Sequence, residues 1–316
     1  MRILSAFLWA SLLAGIAHPD ATAADSASNR GRTGHAEDSA ARIRVDVNMT
    51  LVPITVMDGW GRNVLGLHRG NFRVFDGAEQ RPIAAFARLD APISVGLIYD
   101  SSGSMRSKFG IARQAPVQLF EKLNPEDEAF LVTVSDRSVL RNDFTSDFGA
   151  ILNRLLFIAP SGTTSLLDGV HLALQRIRHA HNPRRALIIV SDGGDNHSRF
   201  SRREMSRMAS ESEAQIFSIC LYQSPQSDEE IEGPELLDKL VKVSGGINFM
   251  IDDPAELPGA FTQIGVALHN QYLIGYYPPE DARAGTYRKV KVQLVVPVGT
   301  PHLDIFARSG YFVPGR

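Results

Sequence analysis

The sequence predicts an α/β fold: a doubly wound, mostly parallel sheet inserted into a small β-sandwich made from the N- and C-terminal segments. Three observations carry that expectation. Continuous apolar runs at Ile93 to Tyr99, Ala129 to Val134, Ala186 to Val190 and Ile216 to Leu221 do not alternate, which suits parallel strands buried on both faces. Helical segments separate these runs, and strand alternating with helix signals a parallel sheet wound on both sides. At either end of the chain the texture is short and alternating. Neither end holds enough strands to close a core alone, so the two are expected to share one.

In chain order, Arg2 precedes an apolar stretch from Ile3 to Ile16, and Ala21-Thr22-Ala23 follows. A basic residue, an apolar stretch and an A-x-A site are the parts of a secretory signal peptide. The stretch falls short of the roughly 20 residues that span a bilayer. Residues 1–23 are therefore expected to be a Sec-type leader cleaved after Ala23, giving a secreted or periplasmic protein with no membrane span after cleavage. No cysteine lies near the cleavage site, which excludes a lipid-anchored lipoprotein. Residues 24–42, rich in Ser, Ala, Gly and charge without an apolar period, are expected to be a disordered linker.

Residues 43–90 form the N-terminal β segment. Arg44 to Asp58 alternates, Asp58-Gly59-Trp60-Gly61 supplies a turn, and Asn71 to Phe75 and Pro82 to Leu89 repeat the pattern around Asp76-Gly77. Residues 91–270 form the α/β domain, with helices expected at Arg106 to Leu123, Ser165 to His179, Ser201 to Glu213, Pro234 to Val243 and Ala255 to Asn270. Residues 271–316 return to strands at Tyr272 to Tyr277, Tyr287 to Val296 and Asp304 to Phe312, and are expected to pair with 43–90. Such an insertion requires only that the ends of the inserted domain lie close together.

Composition sets the limits. A chain of 316 residues suggests about two domains at roughly 150 residues each. Hydrophobic residues at 44% and charged residues at 22% match globular averages, which argues against global disorder and against a multi-span membrane protein. The net charge of −2 provides no electrostatic footprint for nucleic acid or an anionic membrane. One cysteine, Cys220, excludes a disulfide framework and a Cys-ligated zinc, and its apolar strand reads as a buried, inert setting. Neither a P-loop nor a G-x-G-x-x-G after a strand is present.

The chemistry concentrates in three loops. The first apolar run ends in Asp100-Ser101-Ser102-Gly103-Ser104. Ser161-Gly162-Thr163-Thr164 opens a helix, and Ser191-Asp192-Gly193-Gly194 ends the strand from Ala186. Ligands of open α/β sheets bind at the carboxyl ends of the strands, so these loops should meet in one crevice. Each loop alone is also a common turn or helix cap. Together, Asp100, Ser102, Ser104, Thr164 and Asp192 offer the hard oxygens that Mg²⁺ takes in octahedral array. With few direct carboxylates, such an ion stays electron-poor and seeks a further anionic ligand.

These residues resemble the metal-ion-dependent adhesion site of von Willebrand factor A domains over about residues 90 to 270, with the three motifs in the family's order. Val56-x-Asp58 to Asp76-Gly77, and Tyr276-Tyr277-Pro278 with Gly310-Tyr311, are similar to bacterial secreted proteins carrying a "VWFA-related" domain. The resemblance implies that Ser102 and Ser104 bind the ion directly, Thr164 binds when ligand is present, and Asp100 and Asp192 act mostly through water. Thr164 rather than Thr163 rests on register with Leu166 and Val170, and a slip of one stays open. Ser191 stands where many relatives have Thr. The implied ion is Mg²⁺, with Mn²⁺ or Ca²⁺ as alternatives, and the implied partner is an unknown protein presenting a carboxylate. The expected class is thus a non-enzymatic, adhesion-type binding module. Two alternatives remain: a hydrolase using Ser102 or Ser104 with Asp192 and His171 or His197, which lacks a G-x-S-x-G elbow, and a structural subunit with a vestigial site. Arg199, Arg202, Arg203 and Arg207 oppose the acidic Asp228, Glu229, Glu230, Glu232 and Glu235 and read as solvated faces, although Arg199 could steer an acidic partner.

Overall fold

The computed structural model describes residues 49–222, 228–297 and 299–313. The expected leader, its cleavage site and the linker lie outside the described residues. The N-terminal segment supplies β1 (Thr50–Asp58), β2 (Phe72–Asp76), β3 (Glu79–Arg81) and β4 (Ala85–Leu89). The central segment runs β5 (Ile93–Asp100), α1 (Phe109–Ala112), α2 (Val117–Phe120), β6 (Glu128–Val134), β7 (Val139–Thr145), α3 (Phe148–Leu156) and α4 (Leu166–Ile177). It continues with β8 (Arg184–Ser191), α5 (Arg202–Glu211), β9 (Gln215–Leu221), α6 (Asp228–Ser244), β10 (Asn248–Ile251) and α7 (Leu257–His269). The last strands are β11 (Gln271–Tyr276), β12 (Tyr287–Leu294), β13 (Leu303–Ala307) and β14 (Gly310–Phe312).

The central sheet has six strands in the order β10-β9-β8-β5-β6-β7, parallel except for β7. Every residue of β5 is buried, as the unbroken apolar run requires. Successive side chains divide between the faces. Val95, Leu97 and Tyr99 join a core with α1, α2, α3 and α7, while Ile98 joins Phe130 and Val132 in a core with α4, α5 and α6.

Two antiparallel four-stranded sheets, β13-β1-β11-β4 and β14-β12-β2-β3, mix strands from both ends of the chain. Val52, Ile54 and Val56 of β1, Phe72 and Val74 of β2, Tyr272, Ile274 and Tyr276 of β11, and Val290 and Val292 of β12 form a third core. The fold class is thus the α/β one expected, with a sandwich built from the N- and C-terminal segments. At its polar centre, buried Asp76 accepts hydrogen bonds from Tyr276 (3.2 Å) and Tyr311 (2.8 Å) and pairs with Arg288 Nε (2.5 Å).

Several elements differ from expectation. The single helix expected over Arg106 to Leu123 is broken into a 3₁₀ turn at Ser104–Ser107, then α1 and α2. Pro116, which has no N–H, stands immediately before α2. The run Asp304 to Phe312 is two strands in different sheets, with Arg308 and Ser309 at the switch. Helix α6 starts at Asp228 and carries Pro234 inside rather than at its first turn. Strands β3, β7 and β10 and helix α3 match no element expected from the sequence. No helix among the described residues is long and apolar enough to cross a membrane.

Candidate metal centre

The three loops meet at the carboxyl ends of β5 and β8. Gly103 N donates to Gly162 O (3.0 Å) and Ser161 N to Ser101 O (2.9 Å), tying the first loop to the second. Ser191 Oγ donates to Asp100 Oδ2 at 2.5 Å, tying the first to the third. Asn196 N and His197 N both donate to Thr164 O, at 3.1 and 3.0 Å, and Thr164 N donates to Asn196 Oδ1 at 3.0 Å. The second loop is thereby laced to the third.

Asp100 is fully buried, and its Oδ1 accepts the Ser102 amide at 2.9 Å. Ser102, also buried, and Ser104 face each other with hydroxyl oxygens 3.1 Å apart. Burial, and secondarily the charge of Asp192, push the Asp100 carboxyl up to about 7. Asp192 is 2% exposed, and its Oδ2 lies 3.5 Å from Lys108 Nζ. Two buried carboxylates against one buried ammonium leave net negative charge at the strand ends. This donor set of hydroxyls and carboxylates fits a hard cation. Among the described residues no group of three His, Cys, Asp or Glu side chains is placed to hold a metal, so any ion here relies on hydroxyls.

The two threonines are used differently. Thr163 is exposed, and its amide and hydroxyl both donate to Asp136 Oδ1, at 2.6 and 2.7 Å. Thr164 is buried, and the bonds that hold it engage its backbone rather than its hydroxyl. Gly162 makes the turn at φ +80°, with Asp136 so close that a Cβ would lie 2.3 Å from Oδ1. On the third loop, Gly193 has φ +84°, and a Cβ there would lie 2.5 Å from the Gly233 Cα of α6.

Three residues acquire a role at the site that the sequence did not assign them. Ser191 orients Asp100 and accepts the Gly193 amide at 2.9 Å. Asp195 Oδ1 accepts Leu166 N (2.9 Å) and Leu167 N (3.4 Å), capping α4 in place of Ser165. Lys108 is the third. Its signal was the spacing, three residues after buried Met105 and four before buried Ala112, which turns it inward. The other residues singled out lie to the side. Arg199 pairs with Asp168 at 3.0 Å, His171 stacks on Phe200 at 4.0 Å, and His197 binds Thr164 O through its backbone. Among the described residues, no histidine hydrogen-bonds Ser102 or Ser104. Cys220 is buried, and burial pushes its thiol up to about 12.

Residues 95–194 match the von Willebrand factor type A domain family. The von Willebrand factor type A structure from Catenulispora acidiphila is similar at 13% identity and a TM-score of 0.50, covering 77% of this chain and 72% of its own. An aerotolerance-related membrane protein of Bacteroides fragilis is similar at 17% identity and a TM-score of 0.46, over 56% of this chain and 98% of its own. The vWF domain of the type V pili tip protein Mfa5 from Porphyromonas gingivalis follows at 13% identity and 0.45, over 56% and 95%. No curated protein matches the chain.

Proposed function

We propose, from the match of residues 95–194 to the von Willebrand factor type A domain family, that the protein is an exported, non-enzymatic binding module. It holds a divalent cation, Mg²⁺ first, among Asp100, Ser102, Ser104, Thr164 and Asp192, and presents it to a carboxylate of a partner protein. The observation that carries this reading is the convergence of three loops on two buried carboxylates and a facing pair of serine hydroxyls. The ion supplies a Lewis-acidic position for the partner's carboxylate. The chain's own residues do the rest. Ser191 fixes Asp100, Asp136 holds Thr163 outward so that Thr164 faces in, and the Asn196 side chain and amide hold the Thr164 backbone. Hydrolysis is disfavoured because the serine hydroxyls bond each other and have no positioned base. Export rests on the basic, apolar and A-x-A features of residues 1–23.

Thermal unfolding in EDTA and then in Mg²⁺, Mn²⁺ or Ca²⁺ tests the site. An ion at 100 times its dissociation constant stabilises the native state by about 2.7 kcal/mol, which for a domain of this size raises Tm by about 5–10 °C. Asp100→Ala is expected to fold and to lose the shift. An equal shift in wild type and variant would refute the assignment.

A further inference from the structure

Lys108 sits where an apolar residue belongs. The short 3₁₀ turn Ser104–Ser107 and α1 place Met105, Phe109 and Ala112 on one inner face, all buried, and Lys108 shares it at 5% exposure. Its ammonium has two partners: Asp192 Oδ2 at 3.5 Å and Leu221 O at 3.1 Å. Burying an ammonium is costly unless it is paired and hydrogen-bonded, and both conditions are met here by the loop that carries Asp192 and by the end of β9. The segment that supplies the two serine hydroxyls, Asp100 to Lys108, thus brings a cation of its own to the candidate site.

Resting on the metal-site reading above, we infer that Lys108 is a built-in counter-cation. In the ion-free protein its ammonium neutralises Asp192, and a divalent cation binds against it, so that the lysine sets the ion affinity and keeps it low. The charge balance supports this. In the ionised form that holds a cation, Asp100 and Asp192 with Lys108 sum to −1, whereas without the lysine the same two carboxylates carry −2. Like charges a few ångström apart, at the effective dielectric of about 20 found in proteins, are worth at least about tenfold in affinity. The lysine also explains how the Asp192 carboxylate stays buried at the end of its strand.

The test is calorimetric titration of Mg²⁺ into the wild type, Lys108→Gln and Lys108→Met, together with thermal unfolding of each in EDTA and in Mg²⁺. Gln keeps a donor for the Leu221 carbonyl while removing the charge. Both variants are expected to bind Mg²⁺ at least about tenfold more tightly than the wild type, to unfold at lower temperature in EDTA, and to show a larger Mg²⁺-induced rise in Tm. If either variant fails to fold without ion, refolding from urea into Mg²⁺ and into EDTA decides: native protein only with Mg²⁺ supports the inference, and failure in both overturns it. Mg²⁺ bound by the wild type but no more tightly by Lys108→Gln overturns the inference and leaves the ion-binding reading standing. Mg²⁺ bound by Lys108→Gln alone supports the inference and confines the failure to wild-type affinity. Mg²⁺ bound by neither overturns both.

Discussion

Asp100 and Asp192 are both buried, yet their surroundings differ. Asp100 is held by hydroxyl and amide donors, the Ser191 side chain and the Ser102 N–H, whereas Asp192 faces the Lys108 ammonium. Hydrogen bonds from neutral donors leave the Asp100 charge largely uncompensated, which is why burial lifts its carboxyl to about 7. A third carboxylate, Asp195, has a different task. It takes the place of a side-chain cap at the start of α4, accepting two amides that the helix itself cannot satisfy. Asp195→Ala is expected to cost about 1–2 kcal/mol in urea unfolding, the range of a lost N-cap. Asp195→Asn, which keeps an acceptor, should cost less.

Helices and strands here obey local rules until a single residue or a tertiary contact intervenes. The apolar period from Arg106 to Leu123 reads as one helix, but Pro116 cannot supply an amide to it, and two short helices result. β7 has no sequence signal because it is the antiparallel edge of the sheet and none of its residues is fully buried. The start of β5 is fixed by Asp127, whose carboxylate accepts the Ile93 amide at 2.8 Å and the Asn124 amide at 2.7 Å and lies 2.9 Å from His269 Nε2. Burial pushes the Asp127 carboxyl up, but His269 and the two amides outweigh it and hold it below its usual value. A lowered carboxyl stabilises the fold above the unfolded value of about 3.9. That contribution is lost as pH falls through the lower, folded value. Denaturation followed from pH 7 to pH 2 should therefore show Asp127→Asn less stable than the wild type at neutral pH, with the gap closing in acid. A gap that stays constant would refute the assignment.

The two ends of the chain are joined in one sandwich. β1 lies between β11 and β13, and β2 beside β12, so strands more than 200 residues apart in sequence share hydrogen bonds. Asp76 concentrates this dependence, because its partners Tyr276, Arg288 and Tyr311 all come from the C-terminal segment. Removing it takes the acceptor from two buried hydroxyls and from a part-exposed guanidinium at once. Asp76→Ala is expected to lose about 3 kcal/mol, as when one partner of a buried pair is deleted, and chemical denaturation of the variant measures it. A loss below about 1 kcal/mol, the worth of an exposed pair, would show that the network does not hold the sandwich.

Texture alone fixed the α/β class, because strands buried on both faces must be continuously apolar and half-buried ones must alternate, and these periods are written locally at Ile93 to Tyr99 and at Arg44 to Asp58. The oxygen-bearing loops were legible for a similar reason: Asp100, Ser102, Ser104 and Asp192 follow apolar runs that announce themselves, and Thr164 stands just before the helical period that begins near Ser165. Asp76-Gly77 read as a turn and Gly310-Tyr311 as a strand end, each within a flanking resemblance that said nothing of a contact between them. Their meeting depends on which strands pair across the whole chain, and no local period encodes that. Lys108, Ser191 and Asp195 likewise acquire their roles from neighbours at separations of 84, 91 and 28 to 29 residues. The charge that a buried site presents is a sum over such contacts, and it exists only once the loops have closed on one another.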